Sequence, residues 1–327
     1  TYESKLDGAV ANRPFRKINP PSTEVADLHV DNDFNIDLVL EPGASPIVSL
    51  DLLDDLEKTA TFSKDLMNEG YAPANRFFIT RSNIDGAFLL GGDLALFRYY
   101  IEKQDVDGLR RYGRKAVRAI WSLINGLHSE RLTISYVNGE AQGGGFECAI
   151  GSNVLIASKT ATFGFPESLF GLFPGMGASQ LLRARADSYA AKTLLAKSSR
   201  YPAEMLFEMG IIDYLIEDGE LINVLDDLKS EILEKGSRGH FTNRFNSVSY
   251  EDLVDTVDDW VYQALRLDQR KLDVMGIILK AQSRALKKKP SPTITKPSIS
   301  ASLADFELNY VTRAGTNGPI VSVSYTH

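Results

Sequence analysis

Three consecutive glycines, Gly143-Gly144-Gly145, stand between the apolar β-branched run Leu132 to Val137 (LTISYV) and a helical start at Phe146-Glu147. A strand that turns into a helix through bare backbone lets the main chain approach something closely. An N–H group at such a helix start can stabilise a negatively charged oxygen. The same glycines also permit tight strand-to-helix packing, and the residues alone leave both readings open. Glu147 is followed by Cys148-Ala149-Ile150, so it sits beside apolar residues. Burial there would raise its pKa toward values useful for acid–base work. The other reading is an exposed first-turn glutamate favoured by the helix dipole.

Elements of alternating type surround this junction. Asp33 to Glu41 (DFNIDLVLE) alternates Phe34, Ile36, Leu38 and Leu40 with polar neighbours, the pattern of a half-buried strand. Ser49 to Glu69 predicts a helix with Ser49 and Asp51 as candidate caps. Arg76 to Arg81 and Val154 to Ala157 read as further strands, and Asp107 to Leu127 as a long amphipathic helix. Short strands alternating with helices predict an α/β fold with parallel pairing. Tyr250 to Lys289 differs: Leu253, Val257, Trp260 and Ala264, then Leu272, Met275, Ile278 and Leu279, keep helical spacing with one break. The chain therefore divides into an N-terminal arm or loop (1–32), an α/β core (33–235), a C-terminal helical region (236–289) and a Pro/Ser/Thr-rich tail (290–327). The tail lacks helical periodicity and is expected to be dispensable for folding, although Ile320-Val321-Ser322-Val323 could pair on a sheet edge.

Composition excludes several classes. Among 327 residues, 36 Lys and Arg face 43 Asp and Glu, a net −7 that argues against a general nucleic-acid backbone binder. The longest uncharged apolar stretch, Ser168 to Leu182, is interrupted by Gly171, Pro174, Gly175 and Gly177. It cannot serve as a membrane span of about 20 apolar residues. The opening TYESKLDGAV is charged and has no apolar signal core, so a cytoplasmic location is expected. Cys148 is the sole cysteine, which permits neither an internal disulfide nor a cysteine-rich zinc site. No phosphate loop, G-x-G-x-x-G, H-E-x-x-H or G-x-S-x-G pattern occurs. His29, His128, His240 and His327 are isolated and read as surface or capping residues. Neither a metal nor a resident cofactor is expected.

A second carboxylate, Glu167, follows in Phe163-Gly164-Phe165-Pro166-Glu167, after the strand Val154–Ala157. Two carboxylates converging on one site could hold a water and exchange protons with a substrate. Gly91-Gly92-Asp93-Leu94 also joins an apolar strand to a helix, and could supply a second N–H donor. Together with Pro174-Gly175-Met176-Gly177, these pieces resemble the crotonase (enoyl-CoA hydratase/isomerase) superfamily. Its pattern is a G-x-D-[LI] loop, then N-G-x-x-x-G-G-G-x-E, then P-E, then P-G-x-G. All four occur here in order, and the resemblance covers residues 33–288. Within the superfamily, Leu90 to Phe97, Gly143 to Glu147, Leu169 to Gly177, Trp260-Val261 and Ala281-Gln282-Ser283-Arg284 look most like the diffusible signal factor synthases.

The resemblance implies a spiral of ββα units with a C-terminal helical region, and association as a homotrimer or hexamer. It implies an oxyanion hole from the amides of Gly92 and Gly144, and an acid–base pair in Glu147 and Glu167. Met176, Trp260 and Ile278 fall at positions that would line the acyl chain. The leading function is dehydration of a 3-hydroxyacyl thioester, with hydrolysis to a free cis-2-enoic acid. The thioester of acyl carrier protein or coenzyme A would carry the substrate. Acyl carrier protein and a sensor kinase are candidate partners. A plain enoyl-CoA hydratase or isomerase is the alternative, and a non-catalytic acyl-thioester binder a third reading.

Overall fold

In the computed structural model, which describes residues 19–31, 33–70, 76–236, 238–285, 310–312 and 320–321, the strands fall into two sheets. The chain enters through β1 (Asp27–Val30), β2 (Ile36–Leu40) and α1 (Leu50–Asn68). Three ββα turns follow. The first is β3 (Phe77–Ser82), β4 (Ala87–Leu89), α2 (Leu94–Glu102) and α3 (Val106–Ile124). The second is β5 (Leu132–Val137), β6 (Glu140–Gln142) and α4 (Gly144–Gly151). The third is β7 (Val154–Ser158), β8 (Thr162–Gly164), a 3-10 turn at Glu167–Phe170, α5 (Ala178–Arg185) and α6 (Ser188–Ala196). Next come β9 (Arg200–Pro202), α7 (Ala203–Glu208), β10 (Tyr214–Ile216), α8 (Leu221–Lys235) and α9 (Arg238–Thr242). The helices α10 (Tyr250–Ala264) and α11 (Gln269–Ala285) and the strands β11 (Tyr310–Thr312) and β12 (Ile320–Val321) come last.

The first strand of each turn enters an eight-stranded sheet of order β10-β7-β5-β3-β2-β1-β11-β12. The second enters a four-stranded sheet of order β4-β6-β8-β9. Pairing is parallel from β10 to β2 and from β4 to β8. Parallel strands covered on both faces carry continuous apolar runs, and LTISYV and VLIAS are accordingly buried at every position. This is the expected α/β spiral.

Local signals start the helices where the sequence places them. Ser49 Oγ accepts the Leu52 N–H at 3.1 Å to cap α1, and Asp105 accepts the Gly108 N–H at 2.8 Å to cap α3. The buried stripe of α3, including Leu109, Tyr112, Ala116 and Ile120, packs against Leu253, Val257 and Trp260 of α10. The helical region breaks once, between Ala264 and Gln269, and α11 then folds back against α2 and the Glu167–Phe170 turn. Among the described residues no helix is long and apolar enough to cross a membrane.

Two expectations change. Asp27–Val30, read as part of an arm or loop, is a strand antiparallel to β2 that buries Leu28 and Val30. Four residues give too little alternation to stand out in sequence. Tyr310–Thr312 pairs antiparallel with β1, and Ile320–Val321 pairs with Tyr310–Val311. The tail thus supplies two strands; Ser322 and Val323, and the stretches 1–18 and 286–290, lie outside the described residues. Truncation after Pro290 bares the hydrogen-bonding edge of β1, which keeps its pairing with β2. The truncated protein is expected to fold, with a Tm lower by on the order of a few °C and a greater tendency to self-associate. Scanning fluorimetry and light scattering check this; identical melting and mass would show that the tail strands contribute nothing.

Candidate active site

Because β4, β6 and β8 are neighbours and parallel, their C-terminal ends lie side by side. The three loops that leave those ends carry Gly91-Gly92, Gly143-Gly144 and Pro166-Glu167. The register sets Leu89 beside Ala141 and Gln142 beside Gly164, and the Gly143 N–H extends the ladder to Gly164 O at 2.8 Å. At this ledge lies a cavity of about 50 Å³ lined by Gly92, Gly144, Glu147 and Glu167. Met176, Trp260 and Ile278 line it too, so the seven candidate site residues meet at one place.

The direction of the two amides follows from what holds the carbonyls before them. Across a trans peptide the C=O and N–H point opposite ways. Gly91 O accepts the Val48 N–H at 2.8 Å, which turns the Gly92 N–H the other way, toward the cavity that Gly92 lines. Gly143 O accepts the Glu147 N–H at 3.0 Å, so the Gly144 N–H projects from the start of α4. Among the described residues neither amide has a backbone acceptor. A Cβ on Gly144 would stand 3.6 Å from the Gly92 nitrogen, which makes the two donors neighbours.

The glycine run serves both purposes left open by the sequence. Gly143 has φ +51°, and a Cβ there would strike the Glu167 carboxyl, so glycine is needed for the site itself. A Cβ on Gly145 would instead run into the backbone of Leu89, so that glycine seats α4 on β4.

Glu147 is buried, and its Oε1 accepts the N–H groups of Met176 at 2.8 Å and Ala178 at 3.0 Å. Those bonds favour the charged form, but desolvation outweighs them and pushes the carboxyl up to about 7. Glu167 is half-buried as a residue, yet its Oε2 is enclosed and has no hydrogen-bond partner. Desolvation, with the Glu147 charge adding to it, pushes Glu167 up to about 8. Both carboxyls are therefore poised to take or give a proton near neutral pH. Cys148 is pushed up to about 12 by burial and by Glu147, which removes it as a thiolate nucleophile.

The walls contain residues to which the sequence assigned no role of their own. Phe97 stands edge-on to both Trp260, at 5.1 Å between ring centres, and Tyr112, at 4.6 Å. The Tyr112 hydroxyl donates to Val48 O, bracing the segment whose N–H orients the Gly91 carbonyl. Tyr112 and Phe97 look like ordinary core positions on amphipathic helices, and nothing local distinguishes them. Gln282, on α11, donates to Leu90 O and lines the cavity. Among the described residues, one trio of metal-ligating type lies elsewhere: Asp27, His29 and Glu41, with ligand atoms within 4.8 Å of one another. None of the three lines the glutamate cavity.

The family model described as enoyl-CoA hydratase/isomerase matches residues 73–248. A protein named crotonyl-CoA hydratase from Syntrophomonas wolfei is 29% identical over 195 residues, covering 60% of this chain and 70% of that protein. A short-chain-enoyl-CoA hydratase from Clostridium acetobutylicum is 30% identical over 150 residues, covering 45% of this chain and 54% of that protein. The chain thus spans about half the length of the second relative. Solved structures of an enoyl-CoA hydratase/isomerase from Xanthobacter autotrophicus Py2 and an enoyl-CoA hydratase from Bacillus halodurans superpose with TM-scores of 0.64 and 0.63. They cover 82% and 78% of this chain and all of their own, at 19% and 18% identity, and so speak for the fold alone.

The raised carboxyls carry a stability consequence. Each binds its proton more tightly when folded than at the ordinary value of 4.5, so the folded state loses stability as pH rises from about 4.5 through about 7 to 8. Glu147→Gln removes that loss while leaving an oxygen for the two N–H groups. The variant is expected to melt above the wild type at pH 8, by on the order of a few kcal/mol in stability, with the gap closing near pH 4.5. Denaturant unfolding across that range checks it; a pH-independent gap would count against buried, raised carboxyls.

Proposed function

Because this chain belongs to the enoyl-CoA hydratase/isomerase family, we propose that it adds water to, and removes it from, the C2–C3 position of an acyl thioester. The thioester carbonyl sits with its oxygen on the Gly92 and Gly144 N–H groups. In hydration, the Glu147 carboxylate takes a proton from water as the oxygen bonds to C3. The C2–C3 π electrons move onto the carbonyl as an enolate held by the two amides. The Glu167 carboxylic acid then protonates C2. Dehydration is the reverse: Glu167 removes the C2 proton and Glu147 protonates the departing hydroxyl. The observation that carries this reading is the pair of buried, raised carboxyls facing two unengaged amide donors in one cavity.

A second reading is the signal-factor-synthase type, in which dehydration of a 3-hydroxyacyl thioester precedes hydrolysis to a free cis-2-enoic acid. Water would then add to the thioester carbonyl carbon, the same two amides would hold the tetrahedral oxyanion, and the thiol would leave. What favours it is the wording of the loops Leu90 to Phe97 and Leu169 to Gly177, and the apolar wall of Met176, Trp260 and Ile278.

Turnover of trans-2-enoyl-CoA and of medium-chain 3-hydroxyacyl thioesters, with products identified by mass spectrometry, separates the two. Water exchange alone supports the first, and free acid supports the second. In either case Glu147→Gln and Glu167→Gln are expected to lower kcat by roughly 10²–10⁴ with folding retained. Near-wild-type turnover in both variants would remove the acid–base reading. The pH profile of kcat/KM is expected to be bell-shaped with its maximum near neutral pH, falling on the acid side as the pair takes up a second proton and on the alkaline side as it loses its last. Trp260→Ala is expected to shift chain-length preference toward longer acyl groups; a lower Tm with unchanged preference would reduce Trp260 to packing.

A further inference from the structure

One side chain carries the C-terminal helix to the oxyanion loop. Gln282 Nε2 donates to Leu90 O at 2.5 Å, from a position 192 residues away in sequence, and Gln282 lines the same cavity as Gly92. Leu90 is itself buried, and its N–H donates to Pro46 O at 2.6 Å. The Leu90-Gly91-Gly92 segment is therefore hung on three bonds. Pro46 and Val48 supply two of them from the stretch before α1, and α11 supplies the third.

The place of that third bond gives it a consequence. The cavity is open to solvent on one side, so an acyl thioester can enter it and lie along its wall. Among the described residues the wall includes Ile278 and Gln282 of α11, a helix that packs on α2 and on the Glu167–Phe170 turn. Displacing α11 breaks the Gln282–Leu90 bond and leaves the oxyanion loop with its other two supports.

We propose that Gln282 is a positioning residue that couples closure of α11 over bound substrate to assembly of the oxyanion hole. When the helix closes, its amide grips Leu90 O and sets the Gly92 N–H at the carbonyl oxygen; when it opens, that donor loses its alignment. The inference rests on the thioester chemistry proposed for the site. It concerns only whether the hole depends on α11, because Gln282 neither titrates nor touches the reacting carbons.

The probe is acetoacetyl-CoA, an enolisable 3-ketoacyl thioester whose bound enolate absorbs in the near ultraviolet and reports the strength of the oxyanion donors. Wild-type protein is expected to show the enolate band. Gln282→Leu, close in volume but with no donor, is expected to lose most of it and to lower kcat about 10–100-fold. KM should change less than about threefold and the pH profile should keep its shape, since both glutamates are untouched. A full enolate band with wild-type kcat in that variant would overturn the proposal. A second measurement needs no variant: on adding acetoacetyl-CoA to wild type, deuterium uptake at Leu89–Asp93 and at Ile278–Ser283 should slow together. Protection of one segment without the other would overturn it as well. If wild type gives neither an enolate band nor turnover of any acyl thioester, the underlying reading of the site fails, which is a separate result.

Discussion

Everything at the site depends on the hydrogen-bonded ladder that holds β4, β6 and β8 parallel and in register. The three strands have three residues each, and alone none would be stable. They persist because each continues from a strand of the larger sheet, so one layer positions the other. With the strands aligned, three loops distant in sequence end at the same level. The Gly143–Gly164 bond then carries the ladder one step past the strands and joins the Gly143–Gly144 loop to the one that carries Glu167. A one-residue slip between β6 and β8 would turn alternate residues to the other face and separate Glu167 from Gly143.

The electrostatics follow from the same ledge. A carboxylate accepting two backbone N–H groups in water-exposed surroundings would be more acidic than usual. Glu147 accepts two and is still less acidic, because its place on the first turn of α4, against the Met176–Ala178 segment, is buried from solvent. Glu167 lacks even those partners at Oε2 and feels the charge of Glu147 as well. The fold thus tolerates two unfavourable carboxyls, a cost concentrated at the ledge while the surrounding strands and α3 are packed with apolar residues.

How much was legible in the sequence depended on how local each feature is. The buried parallel strands β3, β5 and β7 announce themselves as short stretches of five or six residues rich in apolar and β-branched side chains. The ledge strands AFL, EAQ and TFG do not, since three residues cannot display a period and EAQ carries two polar side chains. The glycines and glutamates were readable because their chemistry is packed into short motifs beside their own helix starts. Gln282 was visible only as part of a family-like phrase, and Tyr112 not at all, because each acts on a segment far away in sequence. The repeating ββα architecture left no sequence repeat, since its turns share backbone geometry and not side chains.

The pairing of β1 with β11 has a consequence for how the protein is made. Leu28 lies opposite Thr312, so a strand made before β3 to α11 takes as its outer neighbour one made after them. Translation is vectorial, and until β11 is made β1 has β2 on one side and an open edge on the other. That interval is when a nascent chain of this kind is most exposed to strand-by-strand association with a copy on the same polysome. The length of chain between β1 and β11 therefore sets a waiting time during synthesis.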